Sequence, residues 1–120
     1  MSAATAKGYL VKRLADAPTV PCPCGQSTRP LTIADTPVCN LHVTRITDSV
    51  KHYHRETTEV YYILRGRGKM ELNDDVVDVE PGMVVYIEPM TAHRLVSAEG
   101  VETVVFGVPA YREDDEFFVT

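Results

Sequence analysis

His52-Tyr53-His54, followed by Glu59 and then His93, gathers three of the four histidines and one carboxylate into two short segments. Two imidazoles at positions i and i+2 of an extended strand project to the same face. Three neutral imidazoles and a carboxylate form an N₃O donor set that suits one divalent transition ion per chain, Fe, Mn, Ni, Cu, Co or Zn. Four protein ligands around a six-coordinate ion leave neighbouring positions free for water, dioxygen or a chelating compound. The candidate metal ligands are therefore His52, His54, Glu59 and His93. Glu59 is also the candidate catalytic base, because a carboxylate that loosens from the ion is free to take up a proton. Open coordination suits a small chelating carbonyl, enediol or catechol-like compound, with the ion serving as Lewis acid or, if it is iron, as dioxygen activator.

The bulk properties narrow the field. A chain of 120 residues supports one domain with a real core. A formal net charge of -5 argues against a nucleic-acid partner, which needs a basic field. No apolar run approaches the roughly 18 residues of a membrane-spanning helix, and the lysine-bearing start lacks the apolar stretch of a secretory signal. The expectation is a cytoplasmic protein with a small-molecule ligand or substrate and no membrane partner. Three cysteines make a disulfide framework improbable. In Cys22-Pro23-Cys24 the single intervening residue is tight for a bridge, so free thiols in a proline-rich loop are expected. A second zinc site from Cys22, Cys24, Cys39 and His42 is the less favoured alternative, since the spacing lacks the usual knuckle form.

The elements that must hold the histidines are strands. Gly8–Leu14 reads as an edge strand, and Pro18 to Pro30, with four prolines, as loop or extended edge. Val38–Ile46 alternates, placing Leu41 and Val43 on one face and His42 and Thr44 on the other. Further strands are expected at Val60–Leu64, Lys69–Leu72, Val76–Val79, Met83–Ile87 and Val101–Val108, with a loop leading into His93. Arg65-Gly66-Arg67-Gly68, Asn73-Asp74-Asp75 and Pro81-Gly82 are turn signals. The acidic run Glu113-Asp114-Asp115-Glu116 reads as solvated surface. Many short strands and no helical period mean an all-β sandwich or barrel.

His52-x-His54-x₄-Glu59-x₆-Gly66 resembles the first conserved motif of the cupin superfamily in spacing and in residue type. Pro81-Gly82 through His93 resembles the second, and the short separation between them is that of small single-domain cupins of the cupin 2 type. The resemblance covers roughly residues 38 to 108. It implies a double-stranded β-helix, or jelly-roll barrel, with the metal inside, and a homodimer. The division that follows is an N-terminal arm at 1–37, a cupin barrel at 38–108 and an acidic tail at 109–120. Three positions depart from the family pattern: Ile46 and Met90 stand where glycine is usual, and Ser97 where asparagine is common.

The remaining candidates carry less. Tyr61 and Ile63 share strand parity with Glu59 and point inward. Met70, Met83 and Met90 read as core or pocket-wall filler. Ser27 and Arg29 could form an anion-binding arm over the barrel mouth, but plain surface is the preferred reading; His42 reads as a satisfied strand residue. The functional expectation is a metal-dependent enzyme of dioxygenase or isomerase/lyase type, and the alternative is a non-catalytic module that binds metal and a small ligand such as a sugar or organic acid. The homodimer contact is expected at the Gly8–Leu14 edge.

Overall fold

A computed structural model describes residues 7–119, and among them ten strands and two single turns of 3₁₀ helix account for the regular structure. The strands are β1 (Thr19–Cys22), β2 (Gly25–Leu31), β3 (Asn40–Asp48), β4 (His52–Tyr53), β5 (Thr58–Arg65), β6 (Gly68–Leu72), β7 (Asp75–Val79), β8 (Val84–Ile87), β9 (His93–Val108) and β10 (Phe117–Phe118). No helix among the described residues is long and apolar enough to cross a membrane.

The organiser is β9, sixteen residues long. Its second half pairs antiparallel with β3 on one side and β5 on the other, while its first half pairs with β6 and meets β4 at His93. With β1-β2 added beyond β3, β8 beyond β5, β7 beyond β6 and β10 beyond β4, one continuous sheet curls over itself into a jelly-roll barrel. Gly100, at φ 93°, lets β9 bend between its two halves. Ser97 secures that bend by accepting the Gly100 N–H and donating its hydroxyl to the Arg67 carbonyl. The strand thus begins at His93, not at Val101, because both flanks of its first half have ladder partners.

Alternation decides what enters the barrel. On β3 the inward residues are His42, Thr44 and Ile46; on β5 they are Glu59, Tyr61 and Ile63. Ile46, Ile63, Met70, Val79, Leu95 and Val101 build an apolar floor. Burial of each such side chain stabilises by about 1.5–3 kcal/mol. Toward the opposite end the inward rows turn polar, with Glu59 opposite Gly107 and His42 opposite Val105 across the ladders. A dry floor beneath a polar chamber is the result.

Several expectations are corrected. Gly8–Leu14 is not a strand: its residues have no ladder partner and are almost wholly exposed, and Lys12 is tied to Asp35 at 3.0 Å. The proline-rich stretch is a paired hairpin, β1-β2, and the β2–β3 ladder shifts register between Thr28 and Leu31, where Pro30 stands. Cys22 and Cys24 are joined as a disulfide, since the two-residue turn at its tip brings their Cα atoms to 5.0 Å. Cys39 is free and outside any three-residue metal-ligating cluster among the described residues. Met70 is core, but Met90 is exposed in a left-handed turn conformation, φ 71°. The acidic tail is not simply solvated: Asp115 is buried, and Phe117 and Phe118 pair with β4.

Candidate metal centre

His52 rides on β4, the shortest kind of strand, with His54 directly after its end, and short strands need outside support. Support comes from β9, where His93 is the direct cross-strand partner of His52, and from β10, whose Phe117 faces Tyr53. Glu59 enters from β5. One potential ligand atom from each of His52, His54, Glu59 and His93 lies within 4.8 Å of every other, and all four residues are buried. The structure brings together the whole set of candidate ligands.

Each imidazole is oriented by its Nδ1. His52 Nδ1–H donates to the Val50 carbonyl at 2.8 Å, His54 Nδ1–H to that of Asp115 at 2.8 Å, and His93 Nδ1–H to that of Thr91 at 2.9 Å. A carbonyl can only accept, so the proton of each neutral ring sits on Nδ1 and a lone pair is left on Nε2. Those nitrogens converge with Glu59 Oε1, which stands 3.1 Å from His93 Nε2 and 3.3 Å from His54 Nε2. Lone pairs facing a carboxylate oxygen repel one another unless a proton or a cation lies between them. Buried His54 Nε2 is left without a hydrogen bond and points into this space. Backbone carbonyls behind ligating histidines fix ring and tautomer in just this manner. The donor set and its orientation fit a divalent transition ion.

Charge states follow from the same contacts. Burial disfavours a charged His54, but the Glu59 carboxylate beside it outweighs that and lifts its pKa to about 9. For Glu59, burial pushes upward while the imidazoles of His54 and His93 beside it pull further downward, so the carboxyl stays below its usual range. His52 is pressed down to about 4, first by burial and then by neighbouring His93. These contacts favour a protonated His54 beside an ionised Glu59.

The cluster opens onto a cavity of about 50 Å³, room for a few waters. Its walls include His42, Tyr61, Tyr111, Arg29 and Glu116. His42, expected to be a satisfied strand residue, lines the cavity and is held near pKa 4 by burial and by the charge of Arg29. Ser27 and Arg29, expected at the surface, are respectively buried and half-buried in the wall. Asp115 and Glu116 were illegible as site residues, because an acidic run gives no local sign of folding back. Glu116 Oε2 stands 3.7 Å from His52 Nε2 and Glu116 Oε1 accepts the Tyr111 hydroxyl at 3.0 Å.

The family model described as the cupin domain matches residues 43–109, more than half of the chain. An uncharacterized protein of Methanocaldococcus jannaschii is 35% identical over 66 residues, which is 53% of this chain and 53% of that protein. Glucose-6-phosphate isomerase of Thermococcus gammatolerans is 42% identical over 56 residues, 41% of this chain and 30% of the isomerase. The chain thus aligns with about half of the first protein's length and about a third of the second's. A crystal structure of a protein from Planctomyces limnophilus superposes with a TM-score of 0.86 at 27% identity, covering 95% of this chain and 100% of that one.

Proposed function

The chain belongs to the cupin domain family, and we propose that it is a metal-dependent enzyme that moves a proton on a small carbonyl or hydroxy compound chelated at His52, His54, Glu59 and His93. The observation that carries this reading is the convergence of three backbone-anchored Nε2 atoms and one carboxylate oxygen, with His52, His54 and Glu59 lining a cavity. Structural metal sites tend to be closed on all sides; catalytic ones keep an open position. The bound ion would supply Lewis acidity, stabilising the negative charge that develops when a carbon-bound proton leaves. Similarity over part of their length to glucose-6-phosphate isomerases supports isomerisation ahead of oxygen insertion.

Within this reading the chain's own groups divide the work. His52, His54 and His93 are fixed by their Nδ1 hydrogen bonds, and each would offer its Nε2 lone pair to a bound ion. Glu59 takes the proton: burial raises its pKa, and only its imidazole contacts hold that pKa down, so loosening those contacts turns it into a competent base. Tyr61, buried beside Glu59, has its hydroxyl pKa driven far upward and remains a neutral donor for a substrate oxygen.

The test is metal analysis and solvent exchange together. Untagged protein is expected to carry about one equivalent of a transition ion, lost in His54→Ala. The loaded protein should catalyse deuterium exchange from D₂O into enolisable hydroxy-carbonyl compounds. Metal retained in His54→Ala overturns the ligand assignment, while tight ligand binding without exchange would indicate the binding-module alternative.

A further inference from the structure

Arg29 is the charged group of the cavity that proton transfer leaves unused. Its Nε donates to Ser27 Oγ at 3.0 Å, and Ser27 is itself buried. Its Cζ stands 5.6 Å from the centre of the Tyr111 ring. That ring in turn packs edge-on against His54 at 5.9 Å and His42 at 6.1 Å between centroids. The guanidinium is therefore held one aromatic ring away from the metal-binding histidines, with its position set from two sides. Among the described residues it forms no ion pair, whereas Arg94 and Arg112 each pair with two carboxylates.

The carboxylates that face the cavity are already engaged. Glu59 serves His54 and His93, and Glu116 is held by the Tyr111 hydroxyl and faces His52. His42 is neutral at physiological pH and adds no charge. A divalent ion would balance Glu59 and Glu116, and at the mouth Arg29 stands beside Glu113 without forming an ion pair to it. A half-buried cation without a partner is costly unless a ligand supplies one, and a guanidinium fork matches the paired oxygens of an oxyanion.

We propose that Arg29, oriented by Ser27 and backed by Tyr111, recognises an oxyanion group, carboxylate or phosphate, on the ligand whose other end is chelated at the metal centre. The inference rests on the metal-centre reading above and narrows its substrate class to small acids. The group would sit at the mouth, where Arg29 and Tyr111 meet Pro21 and Phe118 at the outer surface.

Calorimetric titration of the metal-loaded protein tests this with three probes: 2-oxoglutarate for the carboxylate arm, fructose 6-phosphate for the phosphate arm and fructose as the neutral control. One anionic probe is expected to bind at least about tenfold more tightly than fructose, and which one does so identifies the oxyanion. Arg29→Gln should abolish that advantage while keeping wild-type metal content and melting temperature. Arg29→Lys should restore part of it, since charge returns without the fork. Equal binding of all three probes, no binding of either acid, or an unchanged advantage in Arg29→Gln overturns the proposal. Loss of metal from the wild-type protein would instead strike at the centre itself.

Discussion

The main-chain carbonyl of Asp115 accepts the Nδ1–H of His54 at 2.8 Å, while the carboxylate of the same residue accepts the amide N–H groups of Arg55, Glu56 and Thr57 at 3.0–3.3 Å. One residue of the C-terminal tail thus orients a candidate metal-binding imidazole and clamps the loop that runs from it to Glu59. Burial alone would raise the Asp115 pKa, but the three amides prevail and hold it below the carboxylate range.

Asp115→Ala keeps the carbonyl that accepts from His54 but removes the carboxylate that fixes it against the loop, and is expected to lower metal affinity by roughly 10-fold as that support loosens. It should also cost about 3 kcal/mol of stability, because three amide donors lose a charged acceptor. Competitive chelator titration and urea unfolding read the two effects separately. Wild-type metal affinity in this variant would show that His54 is held without the carboxylate clamp.

Glu59→Gln removes the base and the negative ligand while keeping side-chain volume. Proton exchange on the substrate should fall by about 10²–10⁴-fold, with weaker but measurable metal binding through the three histidines. Exchange rates compared at saturating metal decide the matter; an undiminished rate would assign the base elsewhere in the cavity.

His42 makes stability depend on acidity. Its folded pKa is near 4, against 6.5 for an unperturbed histidine, because burial and then Arg29 disfavour the charged ring. As pH falls from 6.5 toward 4 the unfolded chain takes up a proton that the folded one refuses, so stability present above 6.5 is lost across that window. At about 1.4 kcal/mol per unit the loss approaches roughly 3 kcal/mol. Metal-stripped His42→Gln should lose correspondingly less stability than metal-stripped wild type between pH 6.5 and 4. Parallel acid profiles for the two proteins would contradict the buried, neutral assignment.

A homodimer is best sought on the outer face of the sheet, since Gly8–Leu14 is no strand. Two cross-strand rows run over β8, β5, β9 and β3: Tyr86-Val60-Phe106-Leu41 and Val84-Tyr62-Val104-Val43. Val84 and Tyr86 are 61% and 62% exposed, and contiguous apolar surface of this kind marks a contact site. Size-exclusion chromatography with light scattering should find a dimer that becomes monomeric in Val84→Lys/Tyr86→Glu with metal content intact. A wild-type monomer at all concentrations would dismiss the interface.

The candidate metal ligands are readable before any folding because their signal is local. The period of two in an extended chain alone puts His52 and His54 on one face, and the same parity puts Glu59, Tyr61 and Ile63 inside β5. The turn glycines and the runs between them were equally plain, as each depends on a few neighbouring residues. By sequence His93 reads as the end of a loop, however, because nothing near it announces that both flanks of β9 find partners.

What needed the folded chain is everything contributed from a distance. Asp115 meets His54 across 61 positions, Glu116 meets His52 from the same tail, and Arg29 reaches the cavity from a hairpin that the prolines disguised as loop. The disulfide between Cys22 and Cys24 exists because the hairpin turn sets their separation, which residue spacing by itself does not specify. Local pattern determined which residues could bind a metal. Closure of the barrel decided which charges surround it, because the cost of burying a charge depends on partners that only the tertiary fold supplies.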